Sequence, residues 1–272
     1  MSSTSPASRQ VQRISYGEHP DQWGELHLPV PGQPVRGTVV VIHGGYWRNQ
    51  WTADLGRPAA EDLAAHGFAA WNLEYRRAPG PDGRGDGGWP ATFEDIAAGI
   101  DHVAQLAGHG VDPARVALLG HSAGGHLAVW AAGRQGLPAD APGAGPAVVP
   151  VGVVSQAGVL DLAAAHRLRL SDDAAANLMH GTADERPHEY ALADPLRALP
   201  TGVPVLAVHS PADEAVPMAL SRDYVEAARA AGDPAELHAV DGDHFAIITP
   251  GMDAYERCRA LLDGLFAQAA ES

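Results

Sequence analysis

Residues 37–42, a glycine followed by five β-branched residues, stop abruptly at His43-Gly44-Gly45. A run with no polar alternation has no face to offer to water, so it suits a central strand buried on both sides. Residues 68–73, 115–119 and 203–208 read the same way, and 148–155 and 235–240 are further strand candidates. Between them the apolar period lengthens. Ile96, Ile100, Val103 and Ala107 share one helical face, as do Cys258, Leu261, Leu262 and Leu265. Short buried strands alternating with helices predict a mostly parallel α/β sheet covered on both faces, because parallel neighbours need crossover connections. Residues 11–29 predict an antiparallel hairpin at the sheet edge.

The chain has 272 residues, 46% hydrophobic and 19% charged, which suits one continuous α/β core. Residues 1–10, rich in Ser, Pro and Ala, are expected to form a flexible leader, with a single domain over 11–272. Residues 76–89 are dense in Gly, Pro and Asp and predict a loop near an active-site rim. Residues 161–199 carry weak helical signals broken by polar turns, and predict a small cap over the carboxyl edge of the sheet.

A net charge of −15 disfavours nucleic acid and anionic membranes as partners, leaving a small molecule as the expected ligand. No stretch has the apolar length of a membrane span and no secretory apolar run opens the chain, so a soluble cytoplasmic protein is expected. The lone cysteine, Cys258, excludes an internal disulfide and reads as core. No structural-zinc spacing, Walker loop or dinucleotide fingerprint occurs, so neither a metal nor a cofactor is expected. The oligomeric state stays open, with a homodimer as one option.

The chemistry gathers at Gly120-His121-Ser122-Ala123-Gly124-Gly125, where a predicted strand meets a predicted helix. A serine on such a turn needs small neighbours to tolerate its strained backbone, and it is then presented above the sheet as a nucleophile. The helix start behind it supplies the Ala123 N–H to a developing oxyanion. His43-Gly44-Gly45-Tyr46-Trp47 follows the most secure strand, and backbone N–H groups around Gly44, Gly45 and Tyr46 complete the predicted oxyanion hole. The base belongs on a loop after a late strand, which selects His244 over His238 and His209. The acid belongs after the preceding strand, which selects Asp213 over Asp241 and Asp243.

Together, HGGYW at 43–47, GHSAGG at 120–125, Asp213 and His244 resemble the esterase and lipase branch of the α/β hydrolases. The HGG-x-W form is similar to the motif of the serine-dependent kynurenine formamidases. That resemblance implies an α/β-hydrolase fold, a triad of Ser122, Asp213 and His244, and cleavage of an N-formyl aryl amide through an acyl-enzyme. Tyr46, Trp47 and Trp51 are then the aromatics expected to stack on the leaving amine. A carboxylesterase for short acyl esters is the alternative, and a non-catalytic binding protein on a hydrolase scaffold is the third reading.

Overall fold

A computed structural model describes residues 11–270; the expected leader, residues 1–10, lies outside the described residues. In chain order the first half comprises β1 (Val11–Ser15), β2 (Trp23–His27), β3 (Thr38–Ile42), α1 (Arg57–Ala65), β4 (Ala69–Leu73), α2 (Ala91–Asp101), β5 (Val116–His121) and α3 (Ala123–Ala132). The second half comprises β6 (Gly152–Gln156), α4 (Leu162–Arg167), α5 (Leu170–Met179), α6 (Pro187–Ala193), β7 (Val205–His209), α7 (Ala219–Ala230), β8 (Ala235–Ala239) and α8 (Asp253–Gln268).

The strands form one sheet in the order β1-β2-β4-β3-β5-β6-β7-β8. β1 and β2 pair antiparallel at the edge, as the hairpin reading predicts, and β2 is antiparallel to β4. The remaining pairs are parallel. Every residue of β3 is buried. Val40 and Ile42 pack with Leu118, Phe93, Ile96 and Leu127 on one face, while Val39 and Val41 pack with Leu119, Leu63, Cys258 and Leu262 on the other. Each such side chain contributes roughly 1.5–3 kcal/mol on burial, so both faces need their helices.

Three predicted boundaries shift for identifiable reasons. β6 starts at Gly152 and not at 148, because Pro150 has no N–H to give a ladder. Pro204 delays β7 in the same way, to Val205. α2 ends at Asp101 and continues as a 3₁₀ helix over His102–His109. With three residues per turn there, Val103 and Leu106 are buried and Ala107 turns outward. Residues 76–89 hold no helix or strand of their own. Among the described residues, no helix is long and apolar enough to cross a membrane.

Helices α4, α5 and α6 lie between β6 and β7, within the segment expected to form a cap. Arg169, Ser171, Asp172 and Asp173 have φ between 49° and 59°, so this corner is left-handed before α5 turns regular. The Arg48 guanidinium donates to the Ser171 carbonyl at 2.6 Å and to Ser171 Oγ at 3.2 Å, tying the corner to the loop after β3.

Candidate active site

β5 ends at His121 and α3 begins at Ala123, so Ser122 makes the turn alone, with φ 56° and ψ −116°. Its N–H donates to the Gln156 carbonyl of β6 at 2.8 Å, which holds the strained residue in place. The turn also requires close approach of α3 to β3. A Cβ on Gly124 would stand 2.1 Å from the Ile42 carbonyl oxygen, a backbone atom with no room to yield. Ala123 supplies the first N–H of α3, which has no acceptor within its own helix.

Asp213 follows β7 and His244 follows β8, and the two loops meet over the carboxyl ends of the strands. His244 Nδ1 lies 2.6 Å from Asp213 Oδ2. Asp213 Oδ1 accepts the N–H groups of Ala215 and Val216 at 2.8 and 2.9 Å. Burial alone would raise the pKa of Asp213, but hydrogen bonds from His209, His244 and Val216 outweigh it and hold the carboxyl well below the usual range. His209, completely buried, puts Nε2 3.4 Å from Asp213 Oδ2, donates to the Val216 carbonyl, and accepts from Ser221 Oγ through Nδ1. It therefore packs against the Asp213 carboxylate and helps to hold it. Asp243 is engaged elsewhere, accepting from the N–H groups of Phe245 and Ala246.

The loop after β3 has positive φ at three consecutive residues: 110° at Gly45, 50° at Tyr46 and 57° at Trp47. Only the first is a glycine. A non-glycine residue at such angles costs on the order of 1–3 kcal/mol and persists only where its surroundings hold it. Tyr46 is held by its hydroxyl, which donates to the Ala215 carbonyl at 2.5 Å and links this loop to the Asp213 loop. Burial and the nearby Asp213 charge push that phenol up to about 12. Gly44 packs against the His121 carbonyl and Ser122 Cβ. Gly45 and Tyr46 line the same pocket as Ser122.

One expectation is corrected here. Trp47 is 1% exposed and does not line the pocket; its indole N–H donates to His126 Nδ1 at 3.2 Å, so it packs in the core beneath the loop. Tyr46 and Trp51 do line the pocket, and Trp51 keeps 38% of its surface exposed.

Behind the loop lies a buried ionic cluster. Glu74 accepts from His43 Nε2, Arg77 Nη1 and the N–H groups of Ala53 and Tyr75. Burial opposes its charge, yet His43 and Arg77 lower its pKa. Arg77 also donates to the Trp51 carbonyl, so the 76–89 loop buttresses the pocket wall from behind without lining the pocket.

Ser122 and His244 open on a cavity of about 230 Å³, walled also by Gln50, Leu55, His121, Ser171, Ala215 and Phe245. Sequence reasoning missed these six. Phe245 had a signal, being adjacent to His244, whereas Ser171 arrives by tertiary packing alone. His121 donates from Nε2 to the His244 carbonyl at 3.0 Å, and burial followed by the neighbouring His244 lowers its pKa to about 3, so it stays neutral. A larger cleft of about 490 Å³ lies along β8 and α8, but it holds no serine. Size alone therefore does not pick out the candidate site. Among the described residues, one group has metal-ligand proximity: His19, Asp21 and Asp86. It lies outside the Ser122 pocket, and its members already pair with one another or with Arg77.

Comparison with known proteins adds the family. Residues 25–227 match the BD-FAE family model. The chain belongs to the BD-FAE family. Among relatives of this BD-FAE chain, Esterase LipC of Mycobacterium tuberculosis is 28% identical over 234 residues, covering 80% of this chain and 55% of LipC. Isoprenylcysteine alpha-carbonyl methylesterase ICME of Arabidopsis thaliana is 33% identical over 129 residues, covering 46% of this chain and 28% of the plant protein. The chain thus spans about half the length of the first relative and less of the second. A truncated carbohydrate esterase from gut microbiota superposes with a TM-score of 0.78 at 20% identity, covering 97% of this chain and 96% of that one. The butyrate-bound esterase Est2 of Thermogutta terrifontis gives 0.73 at 23% identity, covering 95% and 94%. These likenesses show a shared fold, the α/β-hydrolase fold.

Proposed function

We propose that this chain is a serine carboxylesterase for small, uncharged acyl esters, with Ser122 as nucleophile, His244 as base and Asp213 as the orienting acid. The observation that carries the reading is the Asp213–His244 pair at 2.6 Å, with His244 opening on the same small cavity as Ser122. His244 Nε2 takes the Ser122 proton as Oγ bonds to the ester carbonyl carbon. The resulting oxyanion is met by the N–H groups of Ala123 and the Gly44–Tyr46 loop. Collapse breaks the bond to the alcohol oxygen, which leaves with the proton from His244. Water then repeats the sequence on the acyl-enzyme and releases the acid.

A cavity of about 230 Å³ is below the size that encloses a drug-like ligand, which favours short acyl groups. Its walls carry aromatic and aliphatic side chains, and a net charge of −15 disfavours anionic substrates. The helices between β6 and β7 are read as a cap, contributing Ser171 to the wall. The relatives named above are esterases, which favours the ester reading over the formamidase one. Trp47, the residue that carried the formamidase resemblance, faces His126 and not the substrate space.

The test is steady-state hydrolysis of p-nitrophenyl esters from acetate to decanoate beside N-formylkynurenine, with Ser122→Ala as blank. Short esters are expected to give the highest kcat/KM. A formamide value well above every ester would make the chain a formamidase instead. A well-folded chain that cleaves nothing and takes no fluorophosphonate label would be the non-catalytic protein.

A further inference from the structure

The oxyanion loop and the nucleophile helix are separate elements, yet their N–H groups must converge on one oxygen atom. One buried side chain joins them. His126 sits one helical turn beyond Ser122, and its backbone N–H donates to the Ser122 carbonyl at 3.1 Å. Its Nδ1 accepts the Trp47 indole N–H at 3.2 Å, and its Nε2 donates to the Ala193 carbonyl at 2.9 Å. An indole N–H only donates and a carbonyl only accepts, so the ring is fixed as the neutral Nε2–H tautomer.

The surroundings keep it that way. His126 is wholly buried, with the rings of Trp47 and Phe93 edge-on to it at 5.2 and 5.7 Å. Burial lowers its pKa to about 4. One turn further on, Trp130 donates to the Leu192 carbonyl at 3.0 Å. α3 thus caps the last two carbonyls of α6 with two side chains, and these anchor the ring against the segment between β6 and β7. The strained pair Tyr46 and Trp47 is pinned by one side-chain hydrogen bond each, to Ala215 and to His126.

We propose that His126 is a positioning residue for the esterase reaction: by accepting from Trp47 it holds the strained Gly45–Trp47 backbone in register with the N-terminus of α3. The proposal rests on the esterase reading given above. Its two ring nitrogens then have separable tasks. Nδ1 sets the oxyanion geometry, and Nε2 anchors the ring to α6.

Asparagine and glutamine separate these tasks. Asn places an amide oxygen near the position of Nδ1, and Gln reaches to the position of Nε2 with an N–H donor. His126→Asn is expected to keep kcat for p-nitrophenyl acetate within about threefold, with a lower Tm from the lost Ala193 bond. His126→Gln is expected to lower kcat about 10- to 100-fold with KM nearly unchanged, since misplaced oxyanion donors act on the transition state. Its affinity for a trifluoromethyl ketone, which forms a tetrahedral adduct with the serine, should fall by the same factor. Trp47→Phe, which leaves the ring and its Ala193 bond in place, should reproduce that loss and combine non-additively with His126→Gln. If His126→Gln does not fold, Trp47→Phe carries the test alone.

Equal activity of the Asn and Gln variants, or a Trp47→Phe enzyme with wild-type kcat and only a lower Tm, would overturn the proposal and leave His126 a packing residue. A wild-type chain that cleaves no ester would overturn the esterase reading and the proposal with it. Wild-type turnover combined with indifferent variants overturns the proposal alone.

Discussion

The carboxylate of Asp213 is fixed before it meets His244: one oxygen takes the backbone N–H groups of Ala215 and Val216, leaving the other 2.6 Å from His244 Nδ1. Held in this way, Asp213 can select the imidazole tautomer that presents a bare Nε2 to Ser122. Asp213→Asn is expected to lower kcat/KM for a short ester about 10³- to 10⁴-fold, because an amide can offer an N–H to Nδ1 and favour the wrong tautomer. Rates within tenfold of wild type would remove Asp213 from the orienting role.

Ser122→Ala should lose several orders of magnitude in turnover with its circular dichroism and Tm close to wild type, since the members of a triad act as one unit. Relief of the serine's backbone strain is not expected, because alanine inherits the same φ of 56°. Mass spectrometry after fluorophosphonate treatment should show one adduct on the wild-type chain and none on the variant.

Tyr46→Phe removes the hydroxyl that links the Gly45–Trp47 loop to the Ala215 carbonyl. The bond is worth about 1 kcal/mol of stability, or roughly 2–4 °C in Tm for a chain of this size. Turnover should fall more than that bond's weight in stability suggests, by about tenfold, because the same contact orients two loops of the site. Thermal scans and ester kinetics on one preparation separate the two effects. A Tm loss with unchanged kcat would confine Tyr46 to packing.

The order of the candidate triad was legible because each member follows a strand, and strands announce themselves by composition. Ser122 sits between a buried apolar run and a helix, while Asp213 and His244 close the loops after Val205–His209 and Ala235–Ala239. Neither the role of Trp47 nor the contact of Ser171 with the pocket could be read in this way. Trp47 is an aromatic on a loop, and only the position of α3 beneath that loop decides whether it meets substrate or His126. Ser171 reaches the pocket through a left-handed corner of non-glycine residues, which local propensity disfavours and Arg48 helps to hold. The ionic cluster around Glu74 was silent for a similar reason, since its partners come from three separate stretches of chain, at residues 43, 53 and 75–77.

That cluster gives a further expectation. Glu74 is 2% exposed and is the buried partner of Arg77, itself 7% exposed. Glu74→Ala leaves the Arg77 and His43 donors without their acceptor and should destabilise the chain by about 3–5 kcal/mol. Urea unfolding with an unchanged m-value would measure this. A change below about 1 kcal/mol would mean that water or Asp21 replaces the lost carboxylate.

Asp194 supplies the pH dependence that separates this fold from the usual acid response. Its side chain, 2% exposed, accepts the N–H groups of Leu196 and Ala163, so it joins the two ends of the segment between β6 and β7. Burial, followed by the nearby Asp161 charge, raises its pKa to about 6, against about 3.9 for an unfolded aspartate. Between these values the folded chain binds the extra proton, so stability falls as pH rises from about 4 to about 6. Glu25 acts in the opposite sense. Burial opposes its charge, but hydrogen bonds from Arg57 and Arg13 lower its pKa to about 2, so its contribution is present above about 4.3 and is lost as pH falls towards 2. The two windows barely overlap, and Asp194→Asn isolates the first. Relative to wild type, the Asn variant should gain Tm steadily from pH 4 to pH 6 and then hold a constant difference. Parallel Tm curves over that range would show that Asp194 is already ionised in the folded chain.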